Sequence, residues 1–183
     1  MELEVLIAFV AVVVRSGAAL LPATLGALVT EKSGVTNLGV EGVMVFGAMV
    51  AYAVAFNTGD PVLGALGATL AGGLLCVTHA IPVVKGRLSQ ERQFVLGLIL
   101  VFLGDALSRL FGQPYVSKPM SALDARFSVP VLSGVPVLGE MLFQQRALVY
   151  WAYLLAVVVY LVLFKTRLGL HLRAVAAGSR WDW

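Results

Sequence analysis

The sequence predicts an all-α fold: a polytopic bundle of about five transmembrane helices, with residues 1–183 forming one membrane domain. Three observations predict it. The residues are 60% hydrophobic and only 13% charged, with a mean hydropathy of +0.93, whereas a soluble domain carries roughly 25% charged residues. One globular core cannot hide that much apolar surface, so the bilayer is the expected solvent. The apolar residues also gather into five stretches, Val5–Val29, Val40–Asn57, Val62–Val84, Phe94–Phe111 and Ala147–Phe164. Each is about the 17–25 residues that a helix needs to cross ~30 Å of hydrocarbon. The connections between them are polar or rich in glycine and proline, the residues that punctuate helices.

The first stretch opens with "MELEVLIAF". It lacks the basic leading segment of a cleaved signal peptide, so it is expected to be retained. Arg15 lies well inside it, followed by Ser16, Gly17 and Pro22. A charge at that depth is costly. Either its long side chain snorkels from a broken or tilted helix, or it lines an interior cavity. The connector "TEKSGVTNLGVEGVM", residues 30–44, then sets Glu31, Lys32, Asn37 and Glu41 among Gly34, Gly39 and Gly42. Its glycines break a continuous helix or permit close backbone approach. Glu41 begins the next helix, where the helix dipole favours an anion. Two readings stay open: a helix break with an acidic start, or a discontinuous helix on a translocation pathway.

In the third stretch Gly64, Ala68, Gly72, Cys76 and Ala80 recur at every fourth position. Such a ridge of small residues lets helices approach closely in lipid and predicts tight bundle packing, within the chain or between subunits. Cys76, the single cysteine, is expected to be a small packing residue. Alone, it allows neither an internal disulfide nor a multi-cysteine metal site. His79 is expected to be packed and hydrogen-bonded. In the fourth stretch Asp105 and Arg109 are one turn apart and can neutralise each other, a structural ion pair rather than a substrate ligand. The following connection, Gly112–Arg146, holds Pro114, Pro119, Pro130 and Pro136, so it should be irregular.

Charge placement predicts orientation. Taken alternately, the connections put eight basic residues on one side: Lys32, Lys85, Arg87, Arg92, Lys165, Arg167, Arg173 and Arg180. The other side carries three: Lys118, Arg126 and Arg146. The positive-inside rule then places the N-terminus outside and the C-terminus in the cytoplasm. No basic run or aromatic–basic stripe suggests nucleic acid. There is no Gly-x-x-x-x-Gly-Lys-Ser/Thr phosphate loop for ATP hydrolysis, and "LSQER" only faintly echoes the signature loop of ABC ATPases. His79 and His171 lie on different segments without carboxylates at metal-ligand spacing. No catalytic, metal or cofactor site is expected.

The stretch "RSGAALLPATLGALVTEKSGVTNLGVEGVMVFGAM" resembles the N-terminal signature of inner-membrane permeases of ABC importers for simple sugars and nucleosides. There an arginine-containing helix leads into a pattern like Glu-Arg/Lys-Ser-Gly-Val-x-Asn-Leu/Ile-Gly-x-Glu-Gly. Glu31, Lys32, Ser33, Gly34, Val35, Asn37, Gly39, Glu41 and Gly42 fit it position by position, and Arg15 stands at the family's arginine. "RQFVLGLILVFLGDALSRLFGQPYVSKP" and "KTRLGLHLRAV" are similar to later blocks, so the likeness runs from about Arg15 to Val175.

The resemblance implies a multi-pass permease subunit in the bacterial inner (plasma) membrane. It would pair with a second permease, recruit cytoplasmic ABC ATPase subunits and receive substrate from an extracytoplasmic substrate-binding lipoprotein. Nucleosides are the substrates this form of the motif is most similar to; branched-chain amino acids are the alternative. Asn37, Glu41, Arg15 and Asp105 would belong to the pathway. Arg167, Leu168, Gly169 and Arg173 would approach the ATPase, in a coupling region beginning at 166–183. After "LRAV" the family usually reads close to Gly-Glu-Asn-Pro-x-Ala-Ala. Here Ala176, Ala177, Gly178, Ser179 and Arg180 precede Trp181-Asp182-Trp183, and the acidic position is lost. Family members are also longer, with a second set of spans, so the chain looks like an N-terminal half that would not drive import alone. A non-transporting membrane scaffold is the competing reading; a membrane enzyme lacks any nucleophile–base or metal constellation.

Overall fold

Apolar stretches with no water to satisfy their peptide groups must close their hydrogen bonds internally, and helices do so within one segment. The computed structural model, which describes residues 2–86, 88–119, 126–128 and 144–178, is built in this way. Its helices are α1 Glu2–Lys32, α2 Val40–Thr58, α3 Pro61–Gly86, α4 Gln90–Gly112, α5 Ala147–Lys165 and α6 Arg167–Gly178. A 3-10 turn, Gln113–Tyr115, extends α4. Helices α1 to α4 are each long and apolar enough to span a membrane; α5 and α6, joined at a 71° bend, are a fifth candidate. The expected span count and order therefore stand.

Differences appear in the details. Helix α1 runs unbroken through Arg15, Ser16, Gly17 and Pro22, so Arg15, half-buried, projects from a continuous helix. The connection expected to be irregular contains two short strands, β1 Arg126–Ser128 and β2 Gln144–Arg146. They pair antiparallel with Arg126 opposite Arg146. Pro130 and Pro136, and the C-terminal Ser179 to Trp183, lie outside the described residues.

The chain divides into two compact units. One takes α1 as far as Leu25, the β1–β2 pair, α5, and α6 as far as Leu170. Within it Ala18, Val149 and Ala152 form a buried cluster with Leu21 packed against it. The other takes the end of α1 from Gly26, then α2, α3, α4 and the 3-10 turn, with the rest of α6.

In this second unit α2 and α3 form an antiparallel hairpin whose turn is written in local chemistry. Gly59, at φ +73°, returns its N–H to the Ala55 carbonyl at 2.8 Å and ends α2, a left-handed stop that a Cβ disfavours. Asp60 Oδ1 accepts the Val62 N–H at 2.8 Å, and Pro61 occupies the first helical position of α3, where its missing N–H costs nothing.

Backbone proximity holds the hairpin. A methyl on Gly64 would stand 2.6 Å from the Ala51 carbonyl oxygen, and one on Gly72 would stand 3.2 Å from Val43 Cγ1. The small ridge thus packs within the chain at its first members. Its later members, Cys76 and Ala80, are exposed on the chain by itself, so they do not pack within it. A period of four advances about 40° per step around a helix of 3.6 residues per turn. The ridge therefore rotates off the interface, and the buried stripe passes to Leu75, His79 and Val83. Large side chains point the other way: Leu70 and Leu74 are 71% and 70% exposed. Lipid solvates such surfaces, and helix association in lipid relies on small residues.

Candidate functional site

The connector between α1 and α2 is shaped by its sequence almost residue by residue. Helix α1 ends in a Schellman motif: Val35 N–H donates to the Thr30 carbonyl at 3.1 Å and Gly34 N–H to the Glu31 carbonyl at 3.0 Å. Gly34 supplies the left-handed residue this needs, at φ +83°. Ser33 Oγ also donates to the Thr30 carbonyl, at 2.6 Å, so the helix end is hydrogen-bonded through main chain and side chain.

Beyond the turn, Asn37 Oδ1 accepts the Gly39 N–H at 2.8 Å. This Asx turn directs the chain into α2. Gly39, which precedes α2, carries no side-chain cap. Glu41 sits exposed in the first turn of α2, where the helix dipole favours its charge. The connector is also clamped from α4. Gln93, only 7% exposed, accepts the Thr36 N–H on Oε1 at 2.9 Å and donates from Nε2 to the Leu88 carbonyl at 2.9 Å. One amide thus ties the connector to the turn between α3 and α4.

The remaining glycines form a backbone-to-backbone seam between α2 and α4. A methyl on Gly97 would stand 2.9 Å from Leu38 N, and one on Gly42 would stand 2.6 Å from Val101 Cα. One on Gly104 would collide with the Gly42 carbonyl and stand 2.7 Å from its Cα. The connector therefore enters α2 along a groove that only glycines leave open.

The other expected site residues distribute as follows. Asp105 follows Gly104 on α4 and pairs with Arg109, Oδ2 to Nε, at 2.9 Å, the ion pair the one-turn spacing predicts. Arg15 belongs to the first unit. At the α5–α6 corner Thr166 accepts the Gly169 N–H on Oγ1 at 3.4 Å and donates to the Val162 carbonyl at 2.6 Å. Gly169 is buried, and a methyl there would meet the Val162 and Leu163 carbonyl oxygens, so its immediate role is to permit the bend. Arg167 and Leu168 are exposed beside it, and Arg173 is half-buried further along α6. His79 is buried, at 5% exposure, but its Nε2 has no hydrogen-bond partner among the described residues, unlike the satisfied histidine expected.

Sequence reasoning missed Gln93 and the α4 half of the seam. The seven-residue spacing of Gly97 and Gly104 was the available signal for the seam. Gln93, beside a basic turn, resembles an ordinary solvated helix start.

Fold and seam define the class: a multi-pass helical membrane protein whose spans meet through glycine backbone. Its family follows from comparison, because residues 9–180 match the model of the branched-chain amino acid transport system / permease component. The chain belongs to that permease family. It is 34% identical over 167 residues to the putative glucose ABC transporter permease protein TsgC13 of Haloferax volcanii, covering 88% of this chain and 49% of that one. It is 32% identical over 162 residues to the nucleoside ABC transporter permease protein NupC of Lactococcus lactis, covering 83% of this chain and 50% of the relative. With the guanosine ABC transporter permease protein NupQ of Bacillus subtilis it shares 31% over 173 residues, covering 86% and 52%. The chain spans about half the length of these curated relatives. No solved structure matches it.

Proposed function

We propose that this chain forms part of the translocation pathway of an ABC-type importer for nucleosides or simple sugars, energised by separate ATPase subunits. The observation that carries the reading is the connector. Asn37 and Glu41 stand at a helix break that is held by a Schellman turn, an Asx turn and the Gln93 clamp. Polar side chains beside unwound backbone are what a membrane pathway uses to meet substrate. Family membership supports it, and the names of the relatives favour sugars and nucleosides.

In this reading Asn37, Glu41, Arg15 and Asp105 serve the pathway. Arg167, Leu168, Gly169 and Arg173, around the bend into α6, form the approach to the ATPase. The partners are ABC ATPase subunits, a second permease subunit and an extracytoplasmic substrate-binding lipoprotein. The protein lies in the plasma membrane with its N-terminus outside and its C-terminus in the cytoplasm. The family description favours a second reading, branched-chain amino acids as substrates.

A chimera tests both. Residues 9–180 replace the matching stretch of the Bacillus subtilis guanosine permease, in cells lacking that permease but keeping its ATPase and binding protein. ATP-dependent uptake of labelled guanosine should return, and Glu41→Gln should impair it at unchanged membrane level. Normal membrane levels without guanosine uptake overturn the nucleoside reading, and leucine uptake when a leucine-binding protein is supplied supports the second.

A further inference from the structure

At the end of α2 far from the connector, Tyr52 and Phe56 stack one turn apart with ring centroids 6.1 Å apart. Tyr115, from the turn after α4, meets both edge-on at 6.2 and 5.8 Å. Lys118 Nζ lies 5.4 Å from the Phe56 ring centre and 6.0 Å from that of Tyr115. Beside these rings lies a shallow, widely open cavity of about 550 Å³, whose wall includes Met49, Tyr52, Gly112, Tyr115, Ser117 and Lys118. Small-molecule sites commonly occupy roughly 300–1,000 Å³ and combine aromatic walls with a few polar groups.

Hydrogen-bond accounting gives those polar groups a sense. Asn57 Nδ2 donates to the Tyr115 hydroxyl at 2.7 Å and to the Ala53 carbonyl at 2.7 Å. A phenol that accepts in this way keeps its own O–H to donate. Tyr52 does the reverse: its O–H donates to the Lys118 carbonyl, which leaves its oxygen lone pairs to accept. One donor and one acceptor therefore stand on neighbouring rings of an aromatic wall. No carboxylate is present among the described lining residues, so the ammonium of an amino acid would find no charged partner there. Ser117, on the cavity wall, holds φ +62°, a left-handed value uncommon for a residue with a Cβ. Such outliers persist where surroundings over-determine them, and they collect at ligand clamps.

We infer that this cavity binds the base of a nucleoside, its face against the Tyr52 ring and its edge on the Tyr115 hydroxyl, which stands on a ring turned 75° to that of Tyr52. Every base offers a π-face to stack on an aromatic side chain, and base edges carry both hydrogen-bond donors and acceptors. Under the proposed orientation the cavity opens on the extracytoplasmic side, where substrate arrives. The inference rests on the nucleoside reading above and is tested by binding rather than transport.

The full chain in lipid nanodiscs is dialysed to equilibrium against tritiated guanosine, and separately against tritiated leucine, up to millimolar concentration. Guanosine should be retained and leucine not. Tyr115→Ala should weaken guanosine retention at least tenfold. Tyr115→Phe, which keeps the ring packing but removes the donor, should weaken it severalfold. Guanosine retained equally by the original chain and both variants overturns the cavity while leaving the nucleoside reading standing. Leucine retained and guanosine not overturns both.

Discussion

A single amide side chain, Gln93, reaches across 57 positions of sequence to hold the Thr36 N–H while donating to the Leu88 carbonyl. Charged residues attract notice first in a membrane sequence, yet in the connector it is Gln93 and Asn37 that bond its backbone. Glu41 stands exposed at the helix start. The energetics of the clamp are asymmetric. A buried amide–peptide bond contributes about 0.5–1.5 kcal/mol, but stranding its partners costs about 1–3 kcal/mol. Gln93→Leu should therefore lower the midpoint of thermal unfolding in detergent, despite being more apolar. At roughly 2–4 °C per kcal/mol for a chain of this size, the fall should be several degrees. Amide exchange at Thr36 should accelerate in the same variant. Gln93→Glu, whose ionised carboxylate would be buried and face the Leu88 carbonyl oxygen, should lower the midpoint at least as far. An unchanged midpoint and unchanged Thr36 exchange would mean that water replaces the clamp at no cost.

Among the elements, α2, α3 and α4 show why small residues were a partial guide. The every-fourth ridge of α3 pointed correctly to Gly64 and Gly72, then left the intrachain interface by Cys76 because a helix repeats at 3.6 and not at four. The seam of α4 was legible in principle from Gly97 and Gly104, since glycines seven apart share a face. Its partners on α2 lay in a motif whose glycines left two explanations open, a helix break or close backbone approach. Of those three, only Gly34 adopts a positive φ; Gly39 and Gly42 are there for close approach. This distinction is testable by adding one methyl at chosen places. Gly104→Ala drives a Cβ into the Gly42 backbone, which cannot rotate aside. Overpacking of this kind costs typically 1–3 kcal/mol, occasionally more, and the unfolding midpoint should drop accordingly. Gly73→Ala, on α3, meets nothing within 4 Å and gains helix propensity, about 0.8–1.0 kcal/mol in water, so its midpoint should hold or rise. Equal effects in the two variants would show that the seam is not the close contact described.

At the scale of the whole molecule, the spans were legible because a bilayer demands a long apolar run for each crossing. The interior was not, because lipid-facing and helix-facing positions are both apolar and hydropathy cannot separate them. Side-chain size separates them: Leu70 and Leu74 are exposed where Gly64 and Gly72 are buried. Orientation rests on a different physics, the bias of lysine and arginine toward the cytoplasm. In the second unit the alternation of α2, α3 and α4 puts the connector and the α3–α4 turn at one end, a placement that the Thr36–Gln93–Leu88 clamp also requires. Under the proposed orientation, which the eight-to-three division of basic residues supports, that end faces the cytoplasm. Two single cysteines in a Cys76→Ala background decide the matter, one at Ser89 beside the α3–α4 turn and one at Ser121 in the long connection after α4. In intact cells an impermeant thiol reagent should label the Ser121 site and spare the Ser89 site. Breaking the membrane should expose Ser89 as well. The reverse pattern in intact cells would invert the chain, place the aromatic cavity on the cytoplasmic side, and remove it from the side at which substrate arrives under the proposed import role.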